Sequence, residues 1–299
     1  MSSHPTTWLW EFPTPWEAIG RVFDRLVVKK QTQYQELIIV DTPQHGRMLV
    51  LDGLCQSSTS DEFLYHEPLV QIPMILHGKP QTVLILGGGE GATMREALRW
   101  KTVQKVVMVD IDAEVVKACK EHMPQLHQGS FDDPRSEVII DDALKYVRKA
   151  RACFDVIISD LTDPTDGGLA EKLYSPEFFR MVKRILNRGG VFVTHTGLVA
   201  PSITTGFEKV WNGLGRAFKC RIAYISYVPS FLCAMGFVVA SDRNLQPPPA
   251  AEIDNLLKEN VSGELRMLDG AVVSGLFATP KWLKAVTEAS RKSKKLTAN

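Results

Sequence analysis

Two textures of hydrophobic and polar positions divide the chain. Between residues 22 and 60, short β-type runs (VFDRLVVKK, YQELIIVD, RMLVLDG, LCQSSTS) are separated by the turn signals TPQHG and DG. That pattern predicts a small antiparallel sheet. From about residue 80, apolar runs of four to six residues (VLIL, VVMV, EVII, DVIIS, VFVTH) alternate with helix-like stretches such as REALRW, EVVKACKEH and PEFFRMVKRIL. Unbroken β-branched runs are strands covered on both faces, and their alternation with helices gives a parallel sheet. Two later runs, RIAYIS and GFVVASD, suit a hairpin appended to it, which makes seven strands. The prolines of QPPPAAEIDNLL stop the sheet and precede a short helix. The expected organisation is α/β: an N-terminal β-domain over residues 1–61, then a second domain over 62–299 with a helical extension from about residue 246.

Composition acts mainly by exclusion. A chain of 299 residues with 44% apolar content can bury a proper core. With 35 Lys+Arg against 34 Asp+Glu, no net field recommends a nucleic-acid or membrane partner. The basic RKSKK near the C-terminus reads as a solvated tail. Five cysteines, scattered and odd in number, fit neither a disulfide framework nor a CxxC metal pair, so a reducing cytoplasm is expected. No basic-then-apolar leader is visible near Trp8 and Trp10, and no window reaches 18 apolar residues.

The chemistry gathers where the apolar runs end. In VLILGGGEGATMRE, residues 83–96, the glycines stand between a buried strand and a helix start, where bare backbone N–H groups can approach a ligand. Gly87, Gly89 and Ala92 satisfy the dinucleotide spacing, whereas Gly87, Gly89 and Gly91 satisfy the nucleoside spacing of AdoMet-type enzymes. VVMVDID places Asp110 at the end of the second strand, where a carboxylate can accept both hydroxyls of a ribose. VIIDDA places Asp142 at the next edge, suited to an adenine amino group; either acid could instead cap the helix that follows. Seven strands with a terminal hairpin favour a Rossmann-like domain of the class I AdoMet-methyltransferase type. The fourth strand runs into FDVIISDLTDPTDGG, with Asp160 and Asp163 three apart ahead of a proline and two glycines that could form a flap. An acidic loop over the crevice suits a cationic substrate.

The run QSSTSDEFLYHE, then LGGGEGATMRE, VVMVDID, FDDPR, DDA and SDLTDPTDGG, in this order and at these intervals, resembles the aminopropyltransferase family, the spermidine synthases and their relatives. The resemblance runs from about residue 30 to residue 280. It implies decarboxylated AdoMet as donor, a polyamine as acceptor, methylthioadenosine as by-product, and a homodimer or homotetramer; with a neutral thioether leaving a sulfonium and no His/Cys/Asp cluster at ligand spacing in the sequence, no metal or other cofactor is expected. Residue by residue, it implies that Gln35 and Gln56 contact the donor and that Gly87 and Gly89 form its loop. It likewise implies that Glu90, where most spermidine synthases have Asp, holds the propylamine end, that Asp110 holds the ribose, and that Asp142 with Ala143 holds the adenine. Asp160 would be the general base, and His66 and Asp163 would contact the acceptor.

Departures from the family pattern bear on the acceptor. The usual flap DSSDPxGP or DSTDPxGP is here DLTDPTDGG, with Gly167 in place of the second proline. The tyrosine of the family's PTY segment is replaced by Phe231 in VPSFLCAMGF. Both changes look more like thermospermine synthases and agmatine-using enzymes, and a relaxed flap with one pocket hydroxyl fewer favours spermidine as acceptor over putrescine or agmatine. A methyltransferase would share the Rossmann half but would have no use for the β-domain or for a doubled acid in the flap.

Overall fold

The computed structural model describes residues 7–14, 16–163 and 171–296. Pro164, Gly167 and Gly168, on which the flap expectation rests, lie outside the described residues.

The N-terminal region holds two sheets. Strands β1 (Thr7–Thr14) and β2 (Glu17–Phe23) form an antiparallel hairpin, and β3 (Arg25–Gln31), β4 (Glu36–Thr42), β5 (Gly46–Leu51) and β6 (Leu54–Ser58) form a four-stranded antiparallel meander. The stretch VFDRLVVKK, expected to be one run, is cut at Asp24, whose N–H bonds the Asp41 carbonyl at 2.8 Å. Its first part belongs to a hairpin that the hydrophobic pattern did not announce. Pro13 falls inside β1 where the register slips between Glu11 and Thr14, the kind of irregularity that accommodates a residue without an N–H. The meander is buried on both faces. Leu37, Ile39, Leu49 and Leu51 pack against helical Ala92, Val115 and Cys119, while Ile38, Val40, Met48 and Val50 pack toward Leu9 and Phe23 of the hairpin region.

The second region is a seven-stranded sheet with helices on both faces. Its strands are β7 (Thr82–Gly87), β8 (Lys105–Asp110), β9 (Ser136–Ile140), β10 (Phe154–Asp160), β11 (Leu186–Val199), β12 (Cys220–Val228) and β13 (Cys233–Ser241), in spatial order β12-β13-β11-β10-β7-β8-β9. Strands β7 to β11 run parallel, and β13 pairs antiparallel with both β11 and β12, as the appended hairpin requires. The chain order reverses between β7 and β10, so their carboxyl ends flank the switch point where α/β sheets open a crevice.

In chain order the helices are α1 (Phe63–His77), α2 (Ala92–Leu98), α3 (Ala113–His122), α4 (Pro124–His127), α5 (Ala143–Lys149), α6 (Pro176–Arg184), α7 (Thr205–Leu214), α8 (Ala250–Asn260), α9 (Gly270–Leu276) and α10 (Lys281–Leu296). One sheet face packs on α1, α2, α8 and α9 through residues such as Leu69, Met94, Ile253 and Val273; the other packs on α5, α6, α7 and α10 through Val147, Phe178, Trp211 and Leu283. Helix α1 is buried along most of its length despite containing Pro68 and Pro73. Pro68 cannot donate to the Leu64 carbonyl one turn back, and Ser226 Oγ supplies that bond from β12 at 2.7 Å. Tyr224 Oη donates to the Pro68 carbonyl at 2.9 Å, so two β12 side chains fix the helix that carries His66.

Candidate active site

Every site residue expected from the sequence except His66 lines one cavity of about 720 Å³ between the meander, the hairpin and the carboxyl edge of the large sheet. Gln35, Gln56, Gly87, Gly89, Glu90, Asp110, Asp142, Ala143, Asp160, Asp163 and Phe231 all contribute to its wall. Among the described residues that wall carries eight carboxylates and one lysine, Lys172. A chain with nearly balanced charge has therefore concentrated acid here, and a site of this kind attracts polycations.

The glycines permit close approach. Gly87 has φ +84°, and a Cβ there would stand 2.0 Å from the Asp160 carbonyl oxygen, so no other residue fits between the ends of β7 and β10. At Gly89 a Cβ would lie 2.8 Å from Asp110 Oδ2 and would push that carboxylate from its place.

Asp160 ends β10 under tight control. Tyr65 Oη donates to its Oδ1 at 2.7 Å, and Thr93 Oγ1 donates to Oδ2. Burial, reinforced by Asp160 itself, pushes the Tyr65 phenol well above its ordinary range, so it stays a donor. One oxygen of Asp160, one of Glu90 and a nitrogen of His66 lie within 4.8 Å of one another. Two carboxylates so close repel each other unless positive charge stands beside them.

Glu90 is steadied from behind. His66 is 1% exposed; its Nε2 is 2.9 Å from Glu90 Oε1 and its Nδ1 is 2.8 Å from Glu62 Oε2. Burial alone would lower the imidazole, but hydrogen bonds to the two glutamates outweigh it and raise the pKa to about 10. Burial would raise Glu62, yet its bond to His66 and the Arg95 guanidinium at 2.9 Å bring it down to about 2. His66, expected to touch the acceptor, instead sits outside the cavity wall as a charged support for Glu90. The physical reason is that both ring nitrogens are taken by carboxylates.

At the end of β8, Asp110 opens partly onto the cavity, and its Oδ1 accepts the Asp112 N–H at 2.9 Å. Burial, with Glu90, Asp112 and Asp160 nearby, raises its pKa to about 6 against the help of that bond. Asp112, not Asp110, caps α3. Asp142 does cap α5, accepting from the Leu144 and Lys145 N–H groups through Oδ1 while still lining the cavity. Gln35 is buried with Nε2 3.2 Å from Asp112 Oδ2, and Gln56 Nε2 donates to the Leu54 carbonyl at 3.1 Å. Neither glutamine simply faces solvent.

Sequence reasoning passed over several groups. Glu62 stands four residues before His66 in DEFLYHE, a helical pairing that the spacing could have revealed. Tyr65 and Thr93 carried no separate signal. His195, at the end of the β11 run VFVTH, accepts the Gly197 N–H on Nδ1 at 3.1 Å, which leaves Nε2 protonated to donate to the Leu161 carbonyl. Tyr174 Oη donates to the Thr162 carbonyl at 3.0 Å. Together they clamp the backbone between Asp160 and Asp163.

The fold and cavity define a protein of the Rossmann-like, methyltransferase-type fold class with an acidic small-molecule site. Residues 62–247 match the spermine/spermidine synthase domain, and residues 7–58 match the spermidine synthase tetramerisation domain. The chain is 46% identical over 280 residues to a polyamine aminopropyltransferase of Aeropyrum pernix, covering 92% of this chain and 88% of that one. It is 41% identical over 290 residues to a polyamine aminopropyltransferase of Synechococcus sp., covering 94% and 93%. Among solved structures, spermidine synthase in complex with the transition state analogue AdoDATO superposes with a TM-score of 0.88 at 29% identity, covering 96% of this chain and 97% of that chain. Spermidine synthase from Thermotoga maritima gives 0.86 at 29% identity, covering 96% of each. The chain belongs to the spermine/spermidine synthase family and is an aminopropyltransferase. The dinucleotide and methyltransferase alternatives end with that result.

Proposed function

We propose that the chain moves the aminopropyl group of decarboxylated AdoMet to an amine of spermidine, yielding thermospermine and methylthioadenosine. The observation that carries the reading is the pairing of Asp160 with Glu90 inside a cavity of eight carboxylates. Decarboxylated AdoMet presents a sulfonium and an ammonium but no carboxylate; AdoMet would bring a negative charge against Glu90 and is rejected by repulsion. The acceptor amine, with a free pKa near 10.4, must lose a proton before attack, which costs roughly 4–5 kcal/mol at pH 7. Asp160 takes that proton while Tyr65 and Thr93 hold its oxygens, and the neutral amine displaces the thioether in line. Asp110 and Asp142 serve the nucleoside end, and Asp163 and Phe231 the acceptor end.

No metal enters this reading. A neutral thioether leaves a sulfonium without a Lewis acid, and the protonated His66, bonded at both nitrogens, has no lone pair to offer an ion. Spermidine as acceptor rests on the flap sequence and on Phe231 standing in the cavity wall. Putrescine is the second reading, favoured by the overall likeness to spermidine synthases.

Exposed Trp8, Trp10, Phe12 and Trp16 on the hairpin region, within the segment matching a tetramerisation domain, support a homodimer or homotetramer. Five free cysteines fit a cytoplasmic enzyme; among the described residues no helix is long and apolar enough to cross a membrane.

The test is an end-point assay with decarboxylated AdoMet and, separately, putrescine, agmatine or spermidine. Thermospermine from spermidine is expected. Spermidine from putrescine would replace the acceptor and keep the chemistry, and absence of methylthioadenosine in every tube would overturn the reading.

A further inference from the structure

Against the cavity wall formed by the hairpin lies a buried ion pair, with Glu11 in the wall and Arg21 behind it, that none of the roles above uses. Arg21 on β2 and Glu11 on β1 pair through Arg21 Nε and Glu11 Oε1, with side chains 6% and 4% exposed. Glu11 lines the cavity beside Pro13, Ile19 and Cys55. Its second oxygen accepts the Cys55 N–H at 2.8 Å, so both oxygens are engaged. Arg21 also reaches across the molecule, donating from Nη2 to the Ser230 carbonyl, immediately before Phe231. The Ser230 N–H goes to Asp61 Oδ2 at 2.6 Å, and Asp61 Oδ1 accepts from Ser58 Oγ at 2.7 Å. One guanidinium thus pairs with Glu11 and, through the Ser230 carbonyl, joins the hairpin wall to the loop bearing Phe231.

We propose that Arg21 is a specificity-determining positioning residue: it stands as an internal cation against Glu11, in the place that an ammonium of a longer polyamine would otherwise fill. A buried carboxylate left without a counter-charge is strongly disfavoured, so Glu11 takes a cation from the protein, a cation from the ligand or, failing both, a proton. Arg21 is already in place and loses little freedom on binding, whereas an acceptor ammonium must be ordered there. With Arg21 present, the hairpin wall offers no free anion, and acceptors are sorted by shape and by the acids around Asp160. With Arg21 replaced by an apolar side chain, Glu11 becomes an open site for a cation. Once the attacking amine is deprotonated, putrescine keeps one ammonium and spermidine keeps two, so the acceptor with more charges gains most.

The inference rests on the polyamine reading of the cavity but not on which polyamine the native enzyme prefers. The experiment measures kcat/KM for putrescine and spermidine, together with methylthioadenosine affinity and melting temperature, for wild type, Arg21→Met, Arg21→Lys and Arg21→Met combined with Glu11→Gln. Arg21→Met is expected to raise the spermidine-to-putrescine ratio on the order of tenfold, mainly through KM, with methylthioadenosine affinity unchanged. The double variant should bring the ratio back toward wild type, because the orphaned carboxylate is gone. Arg21→Lys keeps the charge and loses the forked reach to Ser230, and should leave the ratio within a factor of about two while lowering kcat/KM for both acceptors. An unchanged ratio in Arg21→Met would overturn the proposal, as would a shift that persists when Glu11 is also replaced. If Arg21→Met does not fold, the double variant and Arg21→Lys decide: a changed ratio in either overturns the proposal, and a preserved one supports it. A wild type that prefers putrescine would correct the acceptor named above without touching these ratios.

Discussion

Tyr65 Oη and Asp160 Oδ1 are 2.7 Å apart although 95 residues separate them in sequence, so α1 and the end of β10 are joined at the proposed general base. With Thr93 on the other oxygen, the carboxylate is held in one orientation before any substrate arrives. Asp160→Asn is expected to lower turnover by roughly 10²–10⁴ while leaving methylthioadenosine affinity nearly intact, because it removes the proton acceptor and keeps the shape. Tyr65→Phe should cost about tenfold, near the worth of one hydrogen bond to a charged group. Single-turnover rates and calorimetric titration check both, and a large loss of methylthioadenosine binding in Asp160→Asn would remove the general-base role.

Asp110 gives a pH dependence with a definite sign. Its folded pKa, about 6, lies above the ordinary aspartate value, so the ionised form is destabilised in the empty enzyme. The folded state is favoured by protonation: stability from this group is fully present below the unfolded value near 4 and is lost as pH rises through 6. Ribose hydroxyls need the carboxylate as acceptor, so donor affinity should move the other way and weaken as pH falls below about 6. Asp110→Asn is expected to raise the melting temperature of the empty protein at pH 7 and to abolish the acid limb of methylthioadenosine binding. Thermal scans and titrations between pH 5 and 8 measure the two effects, and a donor affinity that is flat across that range would contradict the assignment.

Much of this was legible in the chain because the fold repeats a strongly periodic pattern. Runs such as VLIL and DVIIS have to be covered strands, and the residues following a parallel strand's carboxyl end have to face the crevice. That rule placed Gly87, Asp110, Asp142 and Asp160 at the crevice, where the cavity has them, whereas Glu90 came from the family resemblance. What escaped it has a common cause: the missing information is long-range. The hairpin of β1 and β2 is rich in tryptophan and proline and alternates poorly, so its register depends on partners elsewhere. His66 looked like a ligand-facing histidine because YHE identifies the residue but says nothing of Glu62 and Glu90 closing over both nitrogens. His195, Tyr174 and Arg21 act through carbonyl groups far away in sequence, and a carbonyl carries no sequence signal.

The Glu62–His66–Glu90 chain makes its own prediction about stability. His66 is raised to about 10, so its contribution is fully present below its unfolded value near 6.5 and is lost as pH climbs through 10. Glu62, lowered to about 2, contributes above its unfolded value near 4.3 and loses that contribution as pH falls through 2. The pair is therefore worth most between about pH 4.3 and 6.5, and stability should decline from pH 7 to 10. His66→Gln should flatten that alkaline decline in denaturant titrations, lower overall stability by about 2–4 kcal/mol, and raise the donor KM by releasing Glu90. An alkaline slope unchanged by the substitution would show that the imidazole is neutral.

Phe231 lines the same cavity as Glu90. Its ring meets Tyr65 edge-on at a centroid distance of 6.1 Å, and the backbone beside it is fixed by Asp61, Arg21 and a left-handed Leu232 at φ +53°. The loop cannot drift, so a hydroxyl added at this position points where the phenyl edge now points. A hydroxyl near the diamine offers an acceptor for an ammonium and occupies length that a longer chain would need. Phe231→Tyr is therefore expected to move the putrescine-to-spermidine ratio of kcat/KM toward putrescine by roughly fivefold, the worth of about one hydrogen bond, with donor KM unchanged. Steady-state kinetics with the two acceptors at saturating donor read the shift directly. An unaltered ratio would mean that the acceptor passes Phe231 without touching it, and that chain length is selected nearer Asp163.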